Sequence, residues 1–383
     1  MAQPDRPIYL DCAATTPIDP RVRDIVLHYM EVEFGNSGSR THIYGQEAAK
    51  GVKKAREQVA AVVDARTEEV VFTSGATEAN NLAILGLMEY GRKTGRRHIL
   101  STQIEHKAVL EPLHHMVKSG FDVELIPPLE TGAIDPEEVA QRLRSDTLLV
   151  SVMHVNNETG AIQPINELCE ALKTRDALFH VDAAQGFGKE IDTLRNHRID
   201  LLSVSSHKIH GPKGIGCLVS RTARKARRRL SPLILGGGQE SGLRAGTAPT
   251  PLICGFGKAA TLAYEENQSR ILKWEEIETQ LLSAFNALPV WIHCKTGPRL
   301  KNTLCVTFDD VDSEAIILSL RDIVSLSTGS ACTSESFQES HVLRAMYKIS
   351  DAAEIPSAVR FSWSHMTPNI PTQRIIDRVK SLL

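Results

Sequence analysis

Leu201-Leu202-Ser203-Val204-Ser205-Ser206-His207-Lys208-Ile209-His210-Gly211-Pro212-Lys213-Gly214 is an apolar run of strand length that ends in a polar loop and then turns tightly away. One α/β unit upstream the chain reads Leu178-Phe179-His180-Val181-Asp182-Ala183-Ala184-Gln185, again an apolar strand with a polar group at its end. The alternation runs from about residue 45 to 220, with strands expected at 70–72, 98–101, 123–127, 148–154, 178–182, 201–204 and 216–219. Helix-period segments lie between them. In the clearest, 46–63, Ala48, Ala49, Val52, Ala55, Val59, Val62 and Val63 share one stripe opposite lysines and glutamates. Near-continuous apolar strands separated by helices predict an α/β architecture, a mainly parallel seven-stranded sheet covered on both faces. Past residue 250 the pattern changes to a long helix from 252 toward 288, then short strands near 290–294, 303–308, 324–327 and 358–363. Helices at 314–320 and 373–382 alternate with them, as in a smaller α+β domain.

Composition narrows the function class. A chain of 383 residues exceeds one small core, and 42% apolar with 23% charged residues is ordinary for a globular enzyme. A net charge of -2 gives no ground for nucleic-acid binding. The one basic run, 224–229, reads as a solvated face, with an acidic protein partner as the weaker alternative. Seven scattered cysteines without a C-x-x-C pair argue against a disulfide framework and a metal site, and fit a reducing compartment. Neither a signal-peptide pattern nor a stretch of membrane-spanning length is visible, so a cytoplasmic enzyme is expected, with no membrane contact.

In open parallel sheets ligands bind beyond the strand ends, where loops turn into helices. Five polar segments are delivered to that rim: Ser74-Gly75-Ala76-Thr77-Glu78, Glu105-His106-Lys107, Asn156-Asn157-Glu158, Asp182 and Lys208. An amine just past a strand end can bond an aldehyde, and a strand-end carboxylate needs a cation partner. Lys208 with Asp182 therefore points to pyridoxal 5′-phosphate (PLP), whose aldehyde takes the lysine and whose ring nitrogen takes the carboxylate. For Asp182 alone, a helix N-cap is the alternative. The Ser74 to Thr77 turn offers backbone N–H groups and hydroxyls to a phosphate, or ordinary capping. His106 could stack on an aromatic ring and move protons, or simply bond the backbone. Cys332, in Ser327-Thr328-Gly329-Ser330-Ala331-Cys332-Thr333-Ser334, lacks the large apolar neighbours that buried Cys217 and Cys305 have. Such a setting suits a thiolate presented to substrate from a loop. Arg360, inside a strand-like run, would capture a carboxylate or close a salt bridge. A PLP lysine combined with a loop cysteine narrows the reading to sulfur transfer.

Together these residues resemble the NifS/IscS-like cysteine desulfurases, of PLP fold type I, the aspartate-aminotransferase fold. The resemblance spans nearly the whole chain, through Tyr9-Leu10-Asp11-Cys12-Ala13-Ala14-Thr15-Thr16-Pro17, Phe34-Gly35-Asn36-Ser37, Ser74 to Asn81, Met153 to Glu158, Arg244-Ala245-Gly246-Thr247, the cysteine loop and Arg360. The cysteine loop is similar to that of the long-loop group. The resemblance implies a large PLP-binding domain at 15–262. It also implies a small domain from 1–14 and 263–383 carrying the cysteine loop, about 325–340. By the same resemblance Lys208 would hold PLP and shuttle a proton, Asp182 would pair with the ring nitrogen, Gln185 would bond the ring oxygen, and His106 would stack on the ring. Gly75, Ala76, Thr77, Ser205 and His207 would grip the phosphate, joined by Thr247 from the second subunit of a homodimer. Asn157 and Arg360 would hold the carboxylate of L-cysteine, with Asn36 also on the substrate side. Cys332 would take the sulfur as a persulfide, release alanine and pass the sulfur to an acceptor protein. The implied alternatives are another fold type I enzyme, such as a selenocysteine lyase or aminotransferase, or a sulfur-relay protein that mainly docks partners. Two departures from the family pattern stand out. Trp363-Ser364-His365 replaces the usual Leu-Gly-Arg, and Ser327-Thr328 replaces paired serines.

Overall fold

The computed structural model describes residues 6–221, 229–329, 339–350 and 357–383. The strands are β1 (Ile8–Tyr9), β2 (Val70–Thr73), β3 (His98–Thr102), β4 (Asp122–Ile126), β5 (Thr147–Met153), β6 (Leu178–Asp182), β7 (Leu201–Ser205), β8 (Gly216–Ser220), β9 (Val290–Ile292), β10 (Thr303–Phe308), β11 (Val324–Ser325), β12 (Ser327–Thr328) and β13 (Ala358–Ser362). The helices described are α1 (Pro20–Glu31), α2 (Ile43–Val62), α3 (Ala76–Leu85), α4 (Met88–Thr94), α5 (Lys107–Lys118), α6 (Pro136–Arg142) and α7 (Ile165–Ala171). They continue with α8 (Thr250–Glu265), α9 (Asn267–Phe285), α10 (Ser313–Leu320), α11 (His341–Met346) and α12 (Thr372–Lys380).

Seven strands form one sheet in the order β2-β8-β7-β6-β5-β3-β4. All pairs are parallel except the two made by β8. The strands inside the sheet are buried along their whole length because both faces are covered, and the period of two sorts their side chains. Phe179, Val181, Leu202 and Val204 point into a cluster with Ala55 and Val59 of α2 and Phe256 and Ala260 of α8. Leu178, Leu201 and Leu218 point the other way, against Ala79 and Leu82 of α3 and Val109 and Leu113 of α5. Burying a side chain of this size contributes roughly 1.5–3 kcal/mol, so the sandwich is held from both sides. The register sets Asp182 beside Met153 and Ser203, which aligns the ends of β5, β6 and β7 along one rim.

A second sheet, β12-β13-β10-β9, is antiparallel. Leu304, Val306, Val359 and Phe361 pack there with Trp274 and Leu281 of α9, Ile316 of α10 and Ile375 of α12. Leu10 joins this cluster, and β1 pairs in parallel with β11.

Two expectations are corrected. The helix expected from 252 toward 288 is two, α8 and α9, parted at Glu266 (φ −97°, ψ 7°). One rod could not serve both clusters: α8 faces the large sheet and α9 the smaller one. Glu266 is held at the break by Arg21 and Arg270. The strand expected at 324–327 is likewise two, since β11 pairs with β1 and β12 with β13 on either side of Leu326. The Trp363-Ser364-His365 departure serves packing. Trp363 is fully buried and donates to the Trp274 carbonyl at 3.2 Å, while His365 meets His210 edge to face at 4.7 Å.

Candidate active site

The rim where β5, β6 and β7 end opens into a cavity of about 380 Å³. At one end of the cavity lies the N-terminus of α3, with Gly75, Ala76 and Thr77 lining it beside Ser205 and His207. Free N–H groups and the helix dipole make this end suited to an anion. Ser74 N–H is not free for it, because it donates to Glu78 Oε2 at 2.7 Å. Gly216 of β8 makes the close approach feasible: a Cβ there would stand 2.7 Å from the Gly75 Cα. Burial pushes the His207 imidazole down to about 4, so it lies there as a neutral group.

Asp182, which is 5% exposed, also lines the cavity. Its carboxylate accepts from Asn80 Nδ2 at 2.7 Å and from the Ala184 N–H at 3.0 Å. The N-cap alternative is not what forms, since 184–189 is a run of turns and not a helix. Lys208 lines the same cavity, and its amine donates to the Ala13 and Ala14 carbonyls. Gln185 Nε2 donates to the same Ala13 carbonyl at 2.8 Å. The segment around Ala13 is itself tied down, since Thr16 Oγ1 donates to the His207 carbonyl at 2.9 Å.

His106 caps α5, its Nδ1 accepting from the Ala108 N–H at 3.0 Å. Burial holds its imidazole below the usual histidine range. Asn157 also lines the cavity, on a turn fixed by Asn156, whose Oδ1 accepts the Glu158 and Thr159 N–H groups.

Three expected residues stand outside this cavity. Arg360 is 1% exposed and closes the salt-bridge alternative, pairing with Asp11 at 2.7 Å. It also donates to the Asn157 carbonyl at 2.9 Å and to Ser327 Oγ at 2.9 Å. Asn36 is exposed, its Oδ1 accepting the Gly38 N–H at 2.9 Å. Thr247 is exposed as well. Cys332 and residues 224–228 of the basic run lie outside the described residues.

Two participants went unread. Asn80 is a fully buried polar residue one turn past Thr77, and that placement on α3 was the available signal. Lys189 follows Gln185 by one turn and donates to its Oε1 at 3.2 Å. A third cluster, His98, Asp122 and Glu124, brings possible metal ligands together near the opposite rim. Its carboxylates are already paired with Arg142 and Arg144.

PLP fits the donor set. One cavity brings together an amine, an anion-binding helix end and a fixed buried carboxylate, and the Asn80 Oδ1 at that carboxylate has no hydrogen-bond partner. The family signature of class-V aminotransferases matches residues 8–368.

The chain belongs to the class-V aminotransferase family.

It is a PLP-dependent enzyme of fold type I. It is 43% identical over 377 residues to the mitochondrial cysteine desulfurase of Candida maltosa, covering 98% of this chain and 77% of the relative. Among solved structures, a NifS-like protein superposes with a TM-score of 0.89 at 34% identity, covering 98% of this chain and 99% of the other. SspA in complex with cysteine superposes with a TM-score of 0.80 at 36% identity, covering 94% and 100%.

Proposed function

We propose that this class-V enzyme is a cysteine desulfurase that moves sulfur from L-cysteine to Cys332 and then to an acceptor protein. The observation that carries this reading is the convergence on Glu158, next in sequence to the cavity-lining Asn157, of both flanks of the segment bearing Cys332. Gly329 packs against the Glu158 side chain, and Ser340 Oγ donates to Glu158 Oε2. The next residue, His341, bonds the Glu105 carbonyl at 3.0 Å, adjacent to His106.

When bound, PLP withdraws electrons from the Cα of an attached amino acid. Lys208 would hold the cofactor and then, released, carry the Cα proton. Asp182 would keep the ring nitrogen protonated, its own geometry fixed by Asn80 and Ala184. Neutral His106 stands by to take or give a proton. Arg360 would exchange part of its bonding with Asp11 and Ser327 for the substrate carboxylate. The Cys332 thiolate attacks the substrate sulfur. The C–S bond breaks, an S–S bond forms, and alanine leaves while the enzyme keeps a persulfide.

A persulfide needs a recipient, which this reading takes to be an acceptor protein feeding iron–sulfur assembly, tRNA thiolation or DNA phosphorothioation. The proposed assembly is a homodimer. Thr247 is exposed and outside its own chain's cavity, and Met30, Val32, Phe34, Ile43 and Tyr44 leave apolar surface around Asn36. Among the described residues no helix is long and apolar enough to cross a membrane. A cytoplasmic location is proposed on the cysteine usage.

Cys332→Ala tests the reading. Sulfide release from L-cysteine should vanish while the yellow absorbance of the bound cofactor persists. An aminotransferase would keep its activity in that variant. Borohydride trapping followed by peptide mapping should place the cofactor on Lys208, and a label elsewhere overturns the assignment.

A further inference from the structure

The turns after Asp182 carry a second buried lysine that none of the steps above uses. Lys189 is 7% exposed, and its amine donates to Gln185 Oε1 at 3.2 Å. Among the described residues no carboxylate forms an ion pair with it. The charged or titratable groups that act on it are Lys208, Arg360 and the Cys12 thiol. Burial first, then Lys208, pushes this amine down to about 7. Its backbone is clamped from the other core: Asn267, which opens α9, donates to the Gly188 and Lys189 carbonyls at 3.4 Å and 3.1 Å.

A glutamine amide has one accepting and one donating face, and turning it over exchanges them. At Gln185 both neighbours settle which way it stands. The Lys189 amine carries N–H in either protonation state, and it donates to the amide oxygen. The Ala13 carbonyl accepts only, and it takes the amide nitrogen at 2.8 Å. The same carbonyl takes the Lys208 amine. Gln185 therefore presents N–H, not C=O, at the cavity wall next to Lys208.

We infer that Lys189 is a positioning residue, which acts through Gln185 to fix a hydrogen-bond donor facing an acceptor oxygen on the cofactor ring. This rests on the reading of Gln185 as a cofactor-facing residue. Lys189 touches neither substrate nor cofactor. Its contribution is the polarity of the amide in front of it.

Lys189→Met keeps the length of the side chain and removes the donor. Losing the desolvation cost of a buried amine offsets the bond that Gln185 Oε1 gives up, so the variant is expected to fold. The readout is the visible absorbance of the PLP-loaded protein titrated with pH. A donor facing the ring oxygen favours its anionic form, so losing it should move the colour change upward by about one pH unit. Gln185→Ala should produce a similar shift, and adding Lys189→Met to it should add nothing. A Lys189→Met titration that overlays the parent overturns the inference, even if its melting temperature changes. Additive shifts in the double variant also overturn it, since Lys189 would then act by another route. If Lys189→Met does not fold, Lys189→Leu, which also removes the donor, should shift the titration in the same direction. An unmoved titration in that variant is equally decisive against the inference. Should the parent protein show no cofactor band at all, the site assignment itself fails, and the inference falls with it.

Discussion

Glu105 shows how much one buried group can cost. It is fully buried beside the site, with Oε1 accepting from Thr102 Oγ1 at 2.8 Å and the Met153 N–H at 2.8 Å. Its Oε2 has no hydrogen-bond partner. Burial raises its pKa to about 8 from 4.5, the hydrogen bonds oppose that, and Asp182 adds to it. Between those two values the folded protein holds a proton that the unfolded chain releases, so this group's contribution to stability falls as pH rises. The slope reaches about 1.4 kcal/mol per pH unit inside that window. Glu105→Gln keeps the two accepted bonds and cannot ionise. Urea unfolding at pH 5, 6.5 and 8 should show the variant gaining on the parent as pH rises. A constant difference across the three would remove the titrating role. In the sequence, Glu105 was legible only as a neighbour of His106. A local pattern does not show whether an acid is buried.

At the scale of elements, the apolar stripe on α2 was readable, and Ala48, Ala55, Val59, Val62 and Val63 are buried as its period requires. Which helix it would meet was not readable. It meets α8, and the two approach closely enough that a Cβ on Gly257 would stand 2.5 Å from the Ala55 Cα. Gly257→Ala therefore sets two effects against each other. Alanine is the better helix former by about 1 kcal/mol, but the contact is with backbone, which cannot swing aside. The overpacking should win, lowering the unfolding free energy by roughly 1–3 kcal/mol. Denaturant unfolding of the variant measures this, and an unchanged or raised midpoint would mean that α2 and α8 can separate cheaply. The break between α8 and α9 has the same origin. No glycine or proline marks the break at Glu266 in the sequence, while α8 and α9 serve different clusters.

For the whole molecule, the proposed dimer is the claim most open to measurement. Phe34 and Tyr44 stack at 5.3 Å yet are 64% and 49% exposed, with Met30, Val32 and Ile43 close by in sequence and also exposed. Exposed apolar surface of this kind marks an interaction site. Sedimentation of the cofactor-loaded enzyme should give twice the chain mass of 42.1 kDa. Phe34→Asp should shift the mass toward the monomer and weaken cofactor retention, because Thr247 is proposed to reach the partner's phosphate site. A fully active monomer would dismiss the assembly.

The sequence by itself determined the α/β alternation, the rim and the Lys208 with Asp182 pair, because each follows from local periodicity and from where strands end. Only the tertiary structure decided who holds whom: Asn80 on Asp182, Asp11 on Arg360, Lys189 behind Gln185, and Glu158 between the flanks of the cysteine segment. Hydrogen bonds and ion pairs act over about 3–4 Å of space, and chain folding sets that spacing independently of how far apart two residues lie in the sequence.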